Sequence, residues 1–292
     1  MCGDYSRAML PADFDTDEFV RRALEEDLGQ RGDVTSAATI DAEARISAVM
    51  AAREPLVVAG LPLATAFFRD LDPSVEIESD VEDGEQVPAG TTLLRLAGNA
   101  RAMLTAERPA LNTLQHLSGI ATLTRRYVDA IAGTGAVLLD TRKTIPGLRV
   151  VEKYATRMGG AENHRMRLDD GVLIKDNHVA ACGGVAEAVR RAKAADTGLQ
   201  VQVEVDRIHQ IEPALTAGAD RLLLDNMPPP VLREAVALVR GRVPLEASGG
   251  VNLDNIRAIA ETGVEYISLG RITQSAPAVD IGLDYSVESL NS

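Results

Sequence analysis

At 292 residues, 46% of them hydrophobic, the chain can bury a sizeable core in one large domain or two moderate ones. A net charge of −13 and a pI near 4.8 exclude the broad basic face that a nucleic-acid backbone demands, and four Phe, five Tyr and no Trp leave few platforms for stacking bases. Cys2 and Cys182 provide neither a disulfide framework nor a zinc-ligand spacing, which points to a reducing cytoplasm. No basic stretch followed by an apolar one marks a secretory signal, and no apolar run reaches the roughly 18 residues of a membrane span.

Residues 1 to about 13 read as a loose leader. Asp15 or Thr16 then caps a helix whose Phe19, Val20, Ala23 and Leu24 recur at helical spacing, ending at Gly29. The polar, turn-rich RGDVTSAATI after it reads as a connector. Residues 44 to 59 have the pattern of strands, Leu61 to Leu71 suits a short helix, and 74 to 98 returns to short strands divided by Asp83-Gly84 and Ala89-Gly90. The segment DGEQVPAGTTLLRLAG at 83 to 98 is similar to the half-barrel strands of biotinyl and lipoyl carrier domains. It has no lysine at the hairpin tip to modify, so it reads as a structural sandwich. Arg101 to about Ala132 is strongly helical, and Ser118-Gly119 predicts a break into two consecutive helices that bridge an N-terminal domain to the remainder of the chain.

From 136 onward the pattern repeats. Apolar runs at 136–140, 171–174, 201–205, 221–225, 243–247 and 265–269 alternate with amphipathic stretches at about 149–158, 184–195, 207–217, 230–240 and 252–262. Such alternation predicts right-handed βαβ units and a parallel sheet. Pro213 costs about 3 kcal/mol in a helix interior, so its helix starts near that residue or kinks there. Six units are too few for an eight-stranded barrel. The alternatives are an incomplete barrel and an open doubly wound sheet, and no Gly-rich nucleotide turn follows the first strand to favour the latter.

The strand ends are unusually polar: Thr141, Arg142 and Lys143; Lys175; Glu204; Asp225 with Asn226; Ser248-Gly249-Gly250; Gly270-Arg271. Between Thr141 and His178 stand eight cations against five anions, a basic cluster in an acidic protein. A lone charge is prohibitively expensive in an apolar core, so repeated charges at this register imply one shared wet cleft, or pairs among themselves. Arg142, Arg165 and Lys175 suit an anion. Ser248-Gly249-Gly250 and Gly270 fit the late-loop arrangement in which barrels hold phosphate through backbone N–H groups. Glu204 and Asp225 suit either general acid–base work or Mg²⁺ and ribose hydroxyls. His164 and His178 lack short metal-ligand spacing. His164, between Asn163 and Arg165, reads as a hydrogen-bond donor to an anion, and His116 and His209 as ordinary helix histidines.

These residues also carry a resemblance. EDLGQRGDVTS at 26–36, ERPALNTLQHLSGIATLT at 107–124, DTRKTIPGLR at 140–149, EKYATRMGGAENHRMRLDDGVLIKDNH at 152–178, VEV at 203–205, AGADRLLLDNM at 217–227, LEASGGVNLDNI at 245–256 and TGVEYISLG at 262–270 closely resemble the quinolinate phosphoribosyltransferase family, also called nicotinate-nucleotide pyrophosphorylase (carboxylating). Departures such as Ile145 and Ala161 remove no charged site residue. The resemblance implies an α/β fold: an N-terminal α+β open sandwich (1–132, with bridging helices), an incomplete parallel α/β barrel (133–275), and a tail (276–292) packing back on the first domain. It implies a head-to-tail homodimer or a larger assembly of such dimers. It further implies a cytoplasmic reaction in NAD biosynthesis that turns quinolinate and phosphoribosyl pyrophosphate into nicotinate mononucleotide, pyrophosphate and CO₂ with Mg²⁺. Position by position, Arg142, His164, Arg165 and Lys175 would hold the two carboxylates, with Thr141 beside them, and Arg108 would reach the neighbouring subunit's site. Lys143 would contact phosphoribosyl pyrophosphate, Glu204 and Asp225 its ribose and metal, and Ser248, Gly249, Gly250 and Gly270 its 5-phosphate. Lys143, Glu204 and Asp225 are the expected catalytic residues. Three rivals bear on the same residues: a same-fold paralogue associated with molybdenum transport, a Schiff-base lyase using Lys175, and a non-catalytic phosphosugar binder. The complete Arg142, His164, Arg165 and Lys175 set speaks against the first.

Overall fold

The computed structural model describes residues 10–286, so Cys2, most of the expected leader and the last residues of the expected tail lie outside the described residues. In chain order the elements are α1 (Thr16–Leu28), α2 (Val34–Thr39), β1 (Arg45–Ala52), β2 (Leu56–Val57), α3 (Leu61–Leu71), β3 (Glu76–Glu78), β4 (Gln86–Val87), β5 (Thr92–Asn99) and α4 (Ala100–Ala130). They continue with β6 (Val137–Leu139), α5 (Arg149–Met158), β7 (Val172–Ile174), α6 (Asp176–Cys182), α7 (Val185–Ala194), β8 (Val201–Val205) and α8 (Ile211–Thr216). The remainder are β9 (Arg221–Asp225), α9 (Pro229–Val239), β10 (Leu245–Ser248), α10 (Ile256–Ala260), β11 (Tyr266–Ser268), α11 (Arg271–Gln274) and β12 (Ile281–Ser286). Two compact units result. Among the described residues the first takes 10–123, Val150–Gly160 and 276–286; the second takes Thr124–Arg149 and Ala161–Ser275.

In the first unit an antiparallel sheet in the order β12-β1-β5-β3 is covered by helices. Its core gathers Val20 and Leu24 of α1, Phe67 and Phe68 of α3, Met50 and Leu94 of the sheet, and Met103, Leu111 and Leu114 of α4. Each large apolar side chain so buried contributes roughly 1.5–3 kcal/mol. Asp15 caps α1 by accepting the Glu18 N–H at 2.9 Å. The stretch read as a connector contains α2, because Asp33 caps it by accepting the Ser36 N–H at 2.9 Å. α4 is one unbroken helix rather than two. Gly119 is there for space: a Cβ on it would stand 2.1 Å from the Pro277 carbonyl oxygen. α3 has no side-chain cap of its own at Gly60. Asp83 supplies one from a distant turn, accepting the Gly60 and Leu61 N–H groups at 2.7 and 3.1 Å and the Tyr154 hydroxyl at 2.6 Å. His116, read as an ordinary helix histidine, lies 2.9 Å from the fully buried carboxylate of Glu152 on α5.

The second unit holds six parallel strands in the order β6-β11-β10-β9-β8-β7. A closed barrel would pair β6 with β7. Instead Leu139 of β6 forms a single parallel bridge to Glu162, and the cylinder stays incomplete. The strands read as continuous apolar runs because both faces are covered: Val203, Leu222, Leu224 and Ile267 are buried, as are Ile211, Ala214, Leu232, Ala235 and Ile256 of the helices. Pro213 falls in the first turn of the short α8, where its missing N–H costs nothing.

Candidate active site

Side chains alternate along a strand, so every second residue faces the inside of the cylinder. The register sets Glu204 beside Leu223, Leu223 beside Glu246 and Ser248 beside both Asp225 and Ser268. Their common face opens at the carboxyl ends into a cavity of about 710 Å³, within the ordinary range for a small-molecule site. Its lining includes Thr141, Arg142 and Lys143 after β6, His164 and Arg165 after the Glu162 bridge, Lys175 after β7, Glu204 and Asp225 on β8 and β9, Ser248, Gly249 and Gly250 at the end of β10, and Gly270 after β11. Arg108 is elsewhere. It sits on α4 in the first unit with its side chain 59% exposed.

The lining is strongly polarised. Burial, and then the neighbouring charge of Arg142, hold the Arg165 guanidinium below its ordinary pKa, and the buried Nε of Arg142 has no hydrogen-bond acceptor. Two guanidiniums close enough to repel, one with an orphaned donor, favour an anion between them. Arg165 is braced by donating to the Gly171 carbonyl at 2.8 Å. Arg149, outside the expected set, spans the loops on either side. Its Nε donates to the Thr144 hydroxyl at 3.2 Å, and its terminal nitrogens reach the Arg142 and Met166 carbonyls at 3.4 Å. His178 accepts the Lys175 N–H on Nδ1 at 3.0 Å and so shapes the turn behind that lysine. Opposite the cations, the Glu204 carboxyl is raised above its usual range, first by burial and then by Asp225, while Lys175 pulls it down.

Two glycines are needed for close approach. Gly249 has φ +88, and a Cβ there would lie 2.3 Å from Oδ1 of Asn226, whose Nδ2 donates to Asp225 at 2.7 Å. A Cβ on Gly270 would lie 2.7 Å from Cδ of Lys143, and the Thr273 hydroxyl donates to the Lys143 carbonyl at 2.6 Å, so that lysine is laid along the glycine.

Glu246 and Arg221 escaped sequence reasoning. Glu246 lines the cavity floor, wholly buried; Gln202 donates to it at 2.8 Å, Arg221 stands 2.9 Å away and His164 Nε2 3.4 Å away. The Arg221 contact is an ion pair by distance but not by angle a hydrogen bond, because the guanidinium lies over the Tyr266 ring, 3.8 Å from its centre. Burial alone would raise the Glu246 carboxyl; the His164 contact and the Arg221 charge outweigh it and bring the pKa down to about 2. An acid and a base at inward-facing positions of adjacent apolar strands were the signal in the sequence.

Residues 120–284 match the family described as Quinolinate phosphoribosyl transferase, C-terminal domain, and residues 33–118 its N-terminal domain. The chain belongs to the quinolinate phosphoribosyltransferase family. Nicotinate-nucleotide pyrophosphorylase [carboxylating] of Mycobacterium leprae is 45% identical over 91% of this chain and 95% of its own. The solved nicotinate-nucleotide pyrophosphorylases of Ehrlichia chaffeensis and Francisella tularensis are 41% and 40% identical, with TM-scores of 0.90 and 0.89, each over 94% of this chain and over 100% and 98% of their own. The fold is accordingly that of the quinolinate phosphoribosyltransferases, an antiparallel N-terminal unit and a six-stranded parallel α/β unit. The activity is the family's: a nicotinate-nucleotide diphosphorylase (carboxylating) that makes nicotinate mononucleotide from quinolinate in NAD biosynthesis.

Proposed function

We propose that the cavity of the second unit is where quinolinate and phosphoribosyl pyrophosphate react, with Arg142, Arg165 and Lys175 gripping the two carboxylates, Thr141 beside them and His164 behind. The observation that carries this reading is the convergence of those cations, the Glu204–Asp225 pair and two glycine-dependent turns on one hollow. Bidentate guanidinium contacts fix the plane of the dianion and thereby aim the ring nitrogen at the anomeric carbon of the second substrate. As pyrophosphate departs, that carbon gains positive character, which Glu204 and Asp225 stabilise, while the Lys143 ammonium meets the charge developing on the leaving group. Ser248, Gly249, Gly250 and Gly270 hold the 5-phosphate. The pyridinium so formed stabilises the electron pair left at ring carbon 2 when the C–C bond to the adjacent carboxylate breaks and CO₂ departs, and a proton from water then adds to that carbon in the same pocket.

Mg²⁺ fits the donor set. Glu204 and Asp225 offer hard oxygens, and no group of three metal-binding side chains occurs among the described residues, so the ion would share its shell with substrate oxygens. When bound it supplies neutralising charge on the pyrophosphate. Arg108, exposed on α4, would complete the site of a second copy in a homodimer. Among the described residues no helix is long and apolar enough to cross a membrane. Plant relatives carry mitochondrial and chloroplastic names, so membership of the family does not by itself assign the compartment.

The reading is tested by supplying quinolinate and phosphoribosyl pyrophosphate and following CO₂ and pyrophosphate together. Equal release by the native protein and none by Lys143→Ala is expected. Accumulation of a free 2-carboxylated nucleotide would contradict the single pocket.

A further inference from the structure

We propose that Glu246 is a positioning residue: held by Arg221 and Gln202 under the cavity, it fixes His164 as the Nε2–H tautomer, and His164 in turn fixes the main chain that aims Arg165. The Nδ1 atom of His164 accepts the Arg165 backbone N–H at 2.8 Å. A ring nitrogen that accepts carries no proton, so the proton of the neutral imidazole sits on Nε2, and Nε2 faces the Glu246 carboxylate at 3.4 Å. Both nitrogens are thus engaged by protein. His164 therefore serves the ligand through Arg165 and spends its one N–H on Glu246 instead of on a substrate carboxylate.

The neighbours make the same point. The His164 N–H donates to Asp140 Oδ1 at 2.8 Å, and Asn163 Nδ2 donates to Asp140 Oδ2 at 2.6 Å, with Asp140 wholly buried. Residues 163–165 are pinned on one side by Asp140 and on the other, through the imidazole, by Glu246. A structural ion pair would close on itself. Here Gln202 at 2.8 Å, Arg221 at 2.9 Å and His164 at 3.4 Å all meet the same carboxylate oxygen, Oε2, so the group is directed at a residue of the cavity wall as well as at its ion-pair partner. Orienting partners of this kind set the tautomer and direction of a functional histidine. The inference rests on the proposed function for the identity of the anion that Arg165 meets, but its first readout does not involve that anion.

The full-length protein labelled with ¹⁵N at histidine, with His164 assigned by its disappearance in His164→Asn, should give ring-nitrogen shifts of the Nε2–H tautomer. In Glu246→Gln that signature should give way to a tautomer mixture. The KM for quinolinate should rise about tenfold, the cost of weakening one charge-assisted hydrogen bond, while the KM for phosphoribosyl pyrophosphate and kcat change less than about threefold. If the single variant does not fold because Arg221 is left without its partner, Arg221→Met/Glu246→Gln removes both charges and should fold with the same raised KM for quinolinate. A native His164 in the Nδ1–H or imidazolium form, or a folded variant with native tautomer and native KM, overturns the proposal. Failure of the native protein to release CO₂ would instead overturn the assigned reaction and leave the tautomer result standing.

Discussion

Two carboxylates, Asp83 in the first unit and Glu246 in the second, are both desolvated and behave in opposite ways. Asp83 in the first unit is raised by burial, and its three donors, the Tyr154 hydroxyl and the Gly60 and Leu61 N–H groups, only partly offset this. Glu246 in the second is buried at least as completely, yet lies at about 2 because an imidazole and a guanidinium face it. Desolvation is the same force in both places. What differs is whether a cation shares the space. Neutral donors at a helix start build a cap, whereas a full charge kept under a cavity floor can hold the side chains above it.

The largest effect that would sharpen this contrast is Glu246→Ala. It strands a buried guanidinium, and we expect a loss of about 3–5 kcal/mol in denaturant unfolding together with loss of quinolinate binding. Next comes acid. The folded Glu246 pKa lies below its ordinary value of 4.5, so its stabilisation is complete above pH 4.5 and is lost as pH falls through the folded pKa. Acid melts of native protein and the Arg221→Met/Glu246→Gln variant should therefore converge at the low end. Asp83 has the reverse sign: its raised pKa contributes below the ordinary value of 3.8 and that contribution fades as pH rises through the folded pKa. The smallest effect is Tyr154→Phe, which removes one hydrogen bond to Asp83 for about 1–2 kcal/mol and should leave quinolinate turnover unchanged. A large change in turnover would break the distinction between the two acids.

The cavity rim was legible because each strand there is an apolar run cut off by charged, hydroxyl or glycine residues, as in Leu138-Leu139-Asp140 before Arg142 and Leu173-Ile174 before Lys175. Burial on both faces produces that pattern, and nothing distant is needed to read it. The floor was not legible by the same route. Glu246 sits between Leu245 and Ala247 in mid-strand opposite Leu223, and its pairing with Arg221, two residues earlier on β9, is diagonal and becomes definite once the register of β9 and β10 is known. Long-range demands were equally hidden. Gly119 looked like a helix break, but it serves the approach of Pro277, far along the chain, so α4 runs through it. In α2 a short local cap at Asp33 outweighed a turn-rich composition.

The role of Arg108 can be sharpened by mixing two inactive variants. Arg108→Ala and Lys143→Ala subunits, refolded together, should regain about one quarter of native activity if each site draws on two copies of the chain, and none if each site is complete within one.

The most direct measurement is a crystal structure with quinolinate bound. We expect the dianion in the cavity of the second unit, one or both carboxylates within hydrogen-bond reach of Arg142, Arg165 and Lys175, and the His164 ring still turned to Glu246. Quinolinate held away from those cations, or held by His164 Nε2 with Glu246 released, would contradict this reading.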